Sequence, residues 1–359
     1  MTYDFLQLPY MKRFAFLLFA ALLFAPLQVR AQGSEVKITI TAPLVWLRSE
    51  PSLIAPNVQP VAKGQFYIVN ARTADNAWWR ISVAGSKTPE TWLLADLAAP
   101  YSGEVQSVPV VTPVLKSAPP LSKKPLALPP WIPQITAAQK AIYQRAIAAG
   151  KDPFMFTVVG DCNSLPPVYL QRIASGQFNV AGLGSLQSVV LKFGKAFSRI
   201  SLAATGGLGA AMMMDPQWAD GALCDPKTGQ GPFACELWVS RASVVFIAIG
   251  TQEQYTWQDF EPHYRRMIEH ALAKGVLPIA VTKADDIETA AGAPSGFINS
   301  IVRKLAAEYQ IPLLDFYAAT RNLPNFGLID EGDKDFHLSY AGMDRRMLAT
   351  LQTLAAVAR

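Results

Sequence analysis

The chain has 359 residues, long enough for two domains, and its 51% hydrophobic and 16% charged content excludes general disorder. A formal net charge of +5, with no run of five basic residues and no basic stripe interleaved with aromatics, excludes nucleic acid as an expected partner. At the N-terminus Met11-Lys12-Arg13 precedes an apolar stretch over residues 14–27 and then Val29-Arg30-Ala31, the order of a charged region, an apolar region and a small-residue cleavage site. We expect a signal peptide over residues 1–31 and a secreted or envelope-associated bacterial protein. The apolar run is shorter than the roughly 20 residues of a spanning helix, so no transmembrane span is expected after cleavage.

From residue 36 to 97 the sequence is a series of short β-type runs, "VKITIT", "LVWLRS", "GQFYIVNA", "AWWRISV" and "TWLLADL", punctuated by Pro, Gly and Asn. This spacing predicts a small all-β barrel. The stretch resembles bacterial Src-homology-3-like domains, with Arg48, Pro51, Lys63, Gly64, Trp78, Trp79 and Trp92 in the corresponding places. The resemblance implies a cell-wall peptide or glycan as a partner of the barrel. The Trp78–Trp79 pair reads equally as barrel core or as a ligand platform. Residues 98–135 are dense in proline and almost free of acidic residues, which predicts an extended, semi-rigid linker.

The remainder, residues 136–359, alternates continuous apolar runs ("FMFTVV", "ASVVFIAIG", "LPIAVTKA", "IPLLDFY") with amphipathic helical stretches. Strands apolar on both faces between such helices predict a parallel sheet covered on both sides. Ligands of such sheets bind at the carboxyl ends of the strands, which directs attention to Gly160-Asp161-Cys162, Gly250-Thr251-Gln252 and Lys283-Ala284-Asp285. The last of these reads either as a substrate contact or as a solvated loop. Cys224 and Cys235 bracket a polar Pro/Gly loop whose ends can meet, and an oxidising compartment favours a disulfide between them. Cys162 is then the odd thiol, either buried and inert or kept for its reactivity.

Nucleophilic acyl transfer needs a nucleophile, a base, a group that orients the base, and donors for the oxyanion. Of the three histidines, His263 and His270 lie in one amphipathic stretch and read as surface or packing residues, whereas His337 stands in a polar turn before the last helix. No metal-ligand spacing, Walker loop or dinucleotide fingerprint occurs, so no metal and no cofactor is expected, and the methionine cluster in "AAMMMDPQW" reads as packing.

From about Pro153 onward the chain resembles the SGNH/GDSL hydrolases, on Gly160-Asp161 followed by Cys162, on "LAATGGLGAA", on Gly250-Thr251 followed by Gln252, and on "HLSYAGM" after His337. The resemblance implies a flavodoxin-like three-layer α/β/α sandwich with a parallel sheet. It also implies Cys162 as nucleophile in place of serine, and an oxyanion hole made by the Cys162 and Gly207 amides with the Gln252 side chain in place of asparagine. Gly206 and Gly209 are alternatives to Gly207. In the family an aspartate three residues before the histidine orients it; here that residue is Lys334, flanked by Asp333, which we prefer, and Asp335. His337 beside Cys162 is expected to lower the thiol pKa. Ser164 is a rival nucleophile, or a turn residue.

The expected protein is therefore an exported esterase acting on carboxylic esters, O-acetyl groups of an envelope or extracellular polysaccharide above all, or else a small ester. The alternative is a catalytically impaired relative that binds cell-wall or glycan ligands. In both, Asp161 is expected at the substrate-binding turn.

Overall fold

The computed structural model describes residues 35–83, 90–113, 115, 127–225, 229–331 and 333–359, with the side chains of 330–335 outside the description. The signal peptide expected over residues 1–31 also lies outside the described residues. No helix among the described residues is long and apolar enough to cross a membrane.

Seven short strands form one antiparallel sheet: β1 (Lys37–Ile40), β2 (Leu44–Arg48), β3 (Asn57–Ala62), β4 (Phe66–Arg72), β5 (Trp78–Ser82), β6 (Thr91–Leu94) and β7 (Ala98–Ser102). Their spatial order is β3-β2-β6-β5-β4-β1-β7. Alternation sets the buried face, as in β1, where Ile38 and Ile40 point inward. Trp78, Trp79 and Trp92 are all buried, so they are core and not an exposed platform. The sheet reaches past Leu97. β7 pairs with β1, and Val110 bridges Arg72, which brings the first part of the proline-rich stretch into the sheet. Proline is tolerated there because Pro60 and Pro100 fall on the two edge strands, β3 and β7, where a missing N–H leaves no ladder position empty.

The second sheet is parallel: β8 (Asp152–Gly160), β9 (Ala242–Ala248), β10 (Leu277–Val281) and β11 (Leu313–Leu314), in the order β11-β10-β9-β8. A parallel bridge between Gly160 and Ala204 adds a further segment outside β8, where Gly160 N–H donates to Ala203 O (2.9 Å) and Thr205 N–H to Gly160 O (3.3 Å). The second segment in chain order thus lies outside the first, and the crevice where the winding reverses opens at the carboxyl ends of β8 and β9. β11 is shorter than the apolar run "IPLLDFY" suggests, because Asp315 caps the helix Phe316–Thr320 by accepting from Ala318 N–H.

Strand alternation sends Phe156, Val158, Phe246 and Ile279 into one core and Val159, Val245, Ile247 and Ala280 into another. The helices Phe260–Ala273 and Phe297–Glu308 cover the second face; Ala137–Ala148 and Tyr340–Val357 cover the first. The helix Ala137–Ala148 starts on a reciprocal capping box between Thr136 and Gln139. Met213 is fully buried in the second core, with Met212 and Met214 packed against it.

The two parts touch directly. Trp46 N–H donates to Ser175 O (2.7 Å) and Asn57 Nδ2 to Gly176 O (3.0 Å). Gly176 has φ +78°, and a Cβ there would stand 2.8 Å from Trp46 Cβ, so both backbone and contact require glycine.

Cys224 and Cys235 are joined in a disulfide across 11 positions of sequence. A loop of this size is expected to stabilise the fold by about 3 kcal/mol through the unfolded chain. Replacing both cysteines by serine should lower the urea midpoint accordingly; an unchanged midpoint would show that the loop is held without the bridge.

Candidate active site

β8 delivers its last residue, Gly160, against a crowded neighbour. A Cβ at this position would lie 2.3 Å from Ala248 O on β9 and 2.3 Å from Ser164 Oγ. Only glycine lets the two strand ends approach while the chain turns back. Asp161 then caps the short 3₁₀ turn Cys162–Ser164: its Oδ1 accepts from Asn163 N–H (3.1 Å) and its Oδ2 from Thr251 N–H (3.3 Å). The buried carboxylate therefore ties the turn after β8 to the turn after β9. Burial raises its pKa, opposed by the positive charge of Arg346. Asp161 acts on backbone amides, not as an exposed substrate contact.

Cys162 is a free, half-buried thiol at the start of that turn. The expected depression of its pKa is not found. Burial, and after it the charge of Asp161, pushes the thiol up to about 11. Among the glycines of the neighbouring loop, Gly206 faces it: a Cβ there would be 3.9 Å from Cys162 Cβ, while nothing stands within 4 Å of the same position on Gly207. The loop is placed from below by Glu236, which is fully buried. Its carboxylate accepts from Thr157 Oγ1 on β8 (2.5 Å), from both Nη atoms of Arg199 and from Leu202 N–H (2.9 Å).

Gln252 follows Gly250-Thr251, and its Cγ would lie 3.8 Å from a Cβ on Gly209. Beside it Glu253 is buried and accepts from Ala210 N–H, so the glycine loop is bound to the turn that carries Gln252. Burial, opposed by that hydrogen bond, pushes the Glu253 carboxyl up to about 7.

His337 lies in β13 (Asp333–Leu338), which pairs antiparallel with β12 (Leu328–Glu331). Asn163, the residue after Cys162, brings this strand to the Cys162 turn. Its Nδ2 donates to Phe336 O (3.0 Å), and its Oδ1 accepts from Leu338 N–H (3.1 Å). One side chain thus grips the backbone on both sides of His337. Asp333 and Asp335 belong to the same strand, but their side chains lie outside the described residues.

Ser164 is buried at 2% exposure and is occupied: Arg346 Nη2 donates to its Oγ (2.9 Å). Arg346 also donates to Asn163 O (2.5 Å) and stacks on the Tyr169 ring 4.3 Å away, so the helix Tyr340–Val357 braces the turn from behind. Ser164 is a structural turn residue and not a second nucleophile.

Lys283 and Asp285 are equally internal. Lys283 Nζ donates to Asp285 and to Glu288, and its backbone N–H to Asn299 Oδ1 (2.9 Å). With these side chains at most 6% exposed, the group is a buried brace, not a solvated loop. His263 and His270 sit on the helix Phe260–Ala273, with His270 packed against Phe233. Among the described residues no group of three or more His, Cys, Asp or Glu could hold a metal ion.

The structure thus brings Asp161, Cys162, the Gly206–Ala210 loop, the Gln252 turn and the His337 strand to the carboxyl end of the parallel sheet. Asn163, Glu253, Glu236 and Arg346 carry no sequence signal of their own, because each works through a partner far along the chain.

No family profile and no curated protein matches the chain. Solved structures of similar shape include a lipase/acylhydrolase from Enterococcus faecalis, 18% identical, covering 57% of this chain and 95% of that one at a TM-score of 0.35. A GDSL-like lipase from Bacteroides thetaiotaomicron is 17% identical over 60% of this chain and 97% of that one, at a TM-score of 0.35. An acetylxylan esterase from Geobacillus stearothermophilus, solved as a catalytic mutant, is 16% identical over 57% and 94%, again at 0.35. Likenesses of this degree leave the functional reading to the geometry of the site itself.

Proposed function

We propose that the protein is an exported SGNH-type esterase with a flavodoxin-like α/β/α domain and a Src-homology-3-like barrel, acting on O-acetyl esters of an envelope or extracellular polysaccharide. The observation that carries this reading is the Asn163 grip, which sets the backbone of His337 beside the Cys162 turn at the crevice where this type of sheet binds ligands. Cys162 Sγ attacks the acyl carbon while His337 takes the thiol proton. The departing sugar oxygen recovers that proton, and water then cleaves the thioester. Asp333 or Asp335 orients the imidazole. Oxyanion donors are the Cys162 amide, the amide of Gly206 or Gly207, and the Gln252 side chain. A thiol with a raised pKa requires that the proton leave as sulfur attacks; no resting thiolate is stored.

That same raised pKa is the observation favouring a second reading, a wall or glycan binder without turnover. The deciding experiment is hydrolysis of an activated acetyl ester by the full chain. Turnover is expected, with a fall of about 100-fold in kcat for Asn163→Ala, because a misplacement of about 1 Å of a catalytic group costs that much. A silent wild-type protein would overturn the esterase reading in favour of the binder.

A further inference from the structure

A pocket of ≈ 470 Å³ lies at the seam between the N-terminal sheet and the α/β part. Its size falls within the range of small-molecule sites. It shares no lining residue with the cavity beneath the Cys162 turn. Trp46 and Arg48 of β2, Asn57 of β3, and Gln177 and Asn179 of the facing loop line it.

Arg48 is the unexplained group. It is 3% exposed. Its Nη1 donates to Ala55 O (2.9 Å) and its Nη2 to Ile173 O (3.1 Å), both uncharged carbonyls, and its buried Nε has no partner. A guanidinium carries five N–H donors, so three are left over together with the formal charge. No carboxylate among the described residues forms an ion pair with it, and burial pulls its pKa down to about 10. Buried charges are ordinarily paired, and a neutral amide would tie the two carbonyls across the seam without the desolvation cost of a cation. The charge therefore calls for an anion from outside.

The rest of the wall narrows the choice. Asn57 Nδ2 donates to Gly176 O, Gln177 Nε2 to Leu44 O and Ser175 Oγ, and Asn179 Oδ1 accepts from Ala181 N–H. This leaves Asn57 Oδ1 and Gln177 Oε1 as acceptors and Asn179 Nδ2 as a donor toward the hydroxyls of a ligand. Trp46, half-buried beside them, offers a flat apolar surface. A saccharide can lay a C–H face on the Trp46 ring while its hydroxyls, donor and acceptor both, reach the remaining amide atoms. We infer that the seam pocket binds an acidic saccharide, with its carboxylate on Arg48 and its hydroxyls on the amides around Trp46. This site needs neither Cys162 nor His337 and stands apart from the esterase reading.

Calorimetric titration of the full chain with digalacturonic acid, cellobiose and D-alanyl-D-alanine tests it. Digalacturonic acid is expected to bind at least tenfold more tightly than the neutral disaccharide or the dipeptide. Arg48→Gln, which keeps a donor but removes the charge, should weaken digalacturonic acid at least tenfold. Asn179→Asp should do the same by adding a negative charge at the rim, while its side-chain oxygen still accepts from Ala181 N–H, as Asn179 Oδ1 does at 3.0 Å. This second variant decides the matter alone if Arg48→Gln does not fold. Cys162→Ala should leave the binding unchanged, which separates this result from any outcome of the ester assay. Equal affinity for cellobiose, tighter binding of the dipeptide, no binding of digalacturonic acid, or binding that survives in the folded variants would each overturn the inference.

Discussion

Cys162→Ala is expected to abolish hydrolysis of an activated acetyl ester, a fall on the order of 10,000-fold or more, since removal of the nucleophile in hydrolases of this logic costs up to about a millionfold in turnover. The pH dependence of the thiol gives the mechanism behind the loss. Burial and Asp161 raise its pKa to about 11, so the protonated form persists to higher pH than in an exposed cysteine. Iodoacetamide reacts with the thiolate, so its rate at Cys162 should climb about tenfold per pH unit between 7 and 10. Mass spectrometry of the labelled chain reads this directly. His337→Ala should silence ester turnover while keeping that slope, because in the proposed mechanism the imidazole takes the proton only as the acyl group arrives. Cys162→Ser should retain measurable turnover, since the mechanism relies on no stored thiolate. A labelling rate that is already at its plateau near neutral pH would instead reveal a thiolate–imidazolium pair and overturn the concerted step.

Lys283→Met is expected to cost 3–5 kcal/mol of stability, about the effect of removing one partner from a buried ion group. Lys283 Nζ bridges Asp285 and Glu288, with Glu288 fully buried. Methionine fills nearly the same volume but leaves two carboxylates facing each other in the interior. The loss should appear as a lower urea midpoint at unchanged slope. Adding Glu288→Gln should recover part of it, because the amide oxygen can still accept from Ile298 N–H, as Glu288 Oε1 does at 3.1 Å. A loss below about 1 kcal/mol for the single variant would show that the carboxylates are relieved by water. The same cluster borders the small cavity lined by Asp161 and Arg346, so the damage should reach the crevice and lower turnover as well.

What the sequence made legible was whatever repeats at short range. The four apolar runs marked the parallel strands, the alternating runs marked the antiparallel sheet, and the strand-end rule pointed to Asp161, Cys162 and Gln252 before any coordinate. The positions it left open depend on separation. Asn163 looks like an ordinary turn residue until the strand that arrives 173 positions later places Phe336 O against it. Ser164 stayed a rival nucleophile because nothing near it announces Arg346, which reaches it from 182 positions away. Lys283 read as substrate contact or loop because burial is a property of packing and not of the dipeptide. The proline-rich stretch suggested a spacer, whereas its first residues join the sheet at an edge, where proline costs little. The raised thiol pKa was also out of reach, since it is set by how deeply the turn is packed.

The Asn163 grip also orders events in time. A chain made from its N-terminus has Asn163 in place long before the carbonyl of Phe336 and the amide of Leu338, its partners 173 and 175 positions on, can exist. Closing a loop of that length comes late, after local helices and neighbouring strands have formed. Until residues 336–338 are made, the crevice has its thiol turn and glycine loop but not the strand that carries His337. A chain stopped before residue 336 would lack both of these partners and also the helix Tyr340–Val357 that covers one face of the parallel sheet, so the strand of His337 and its neighbouring helix complete the crevice together.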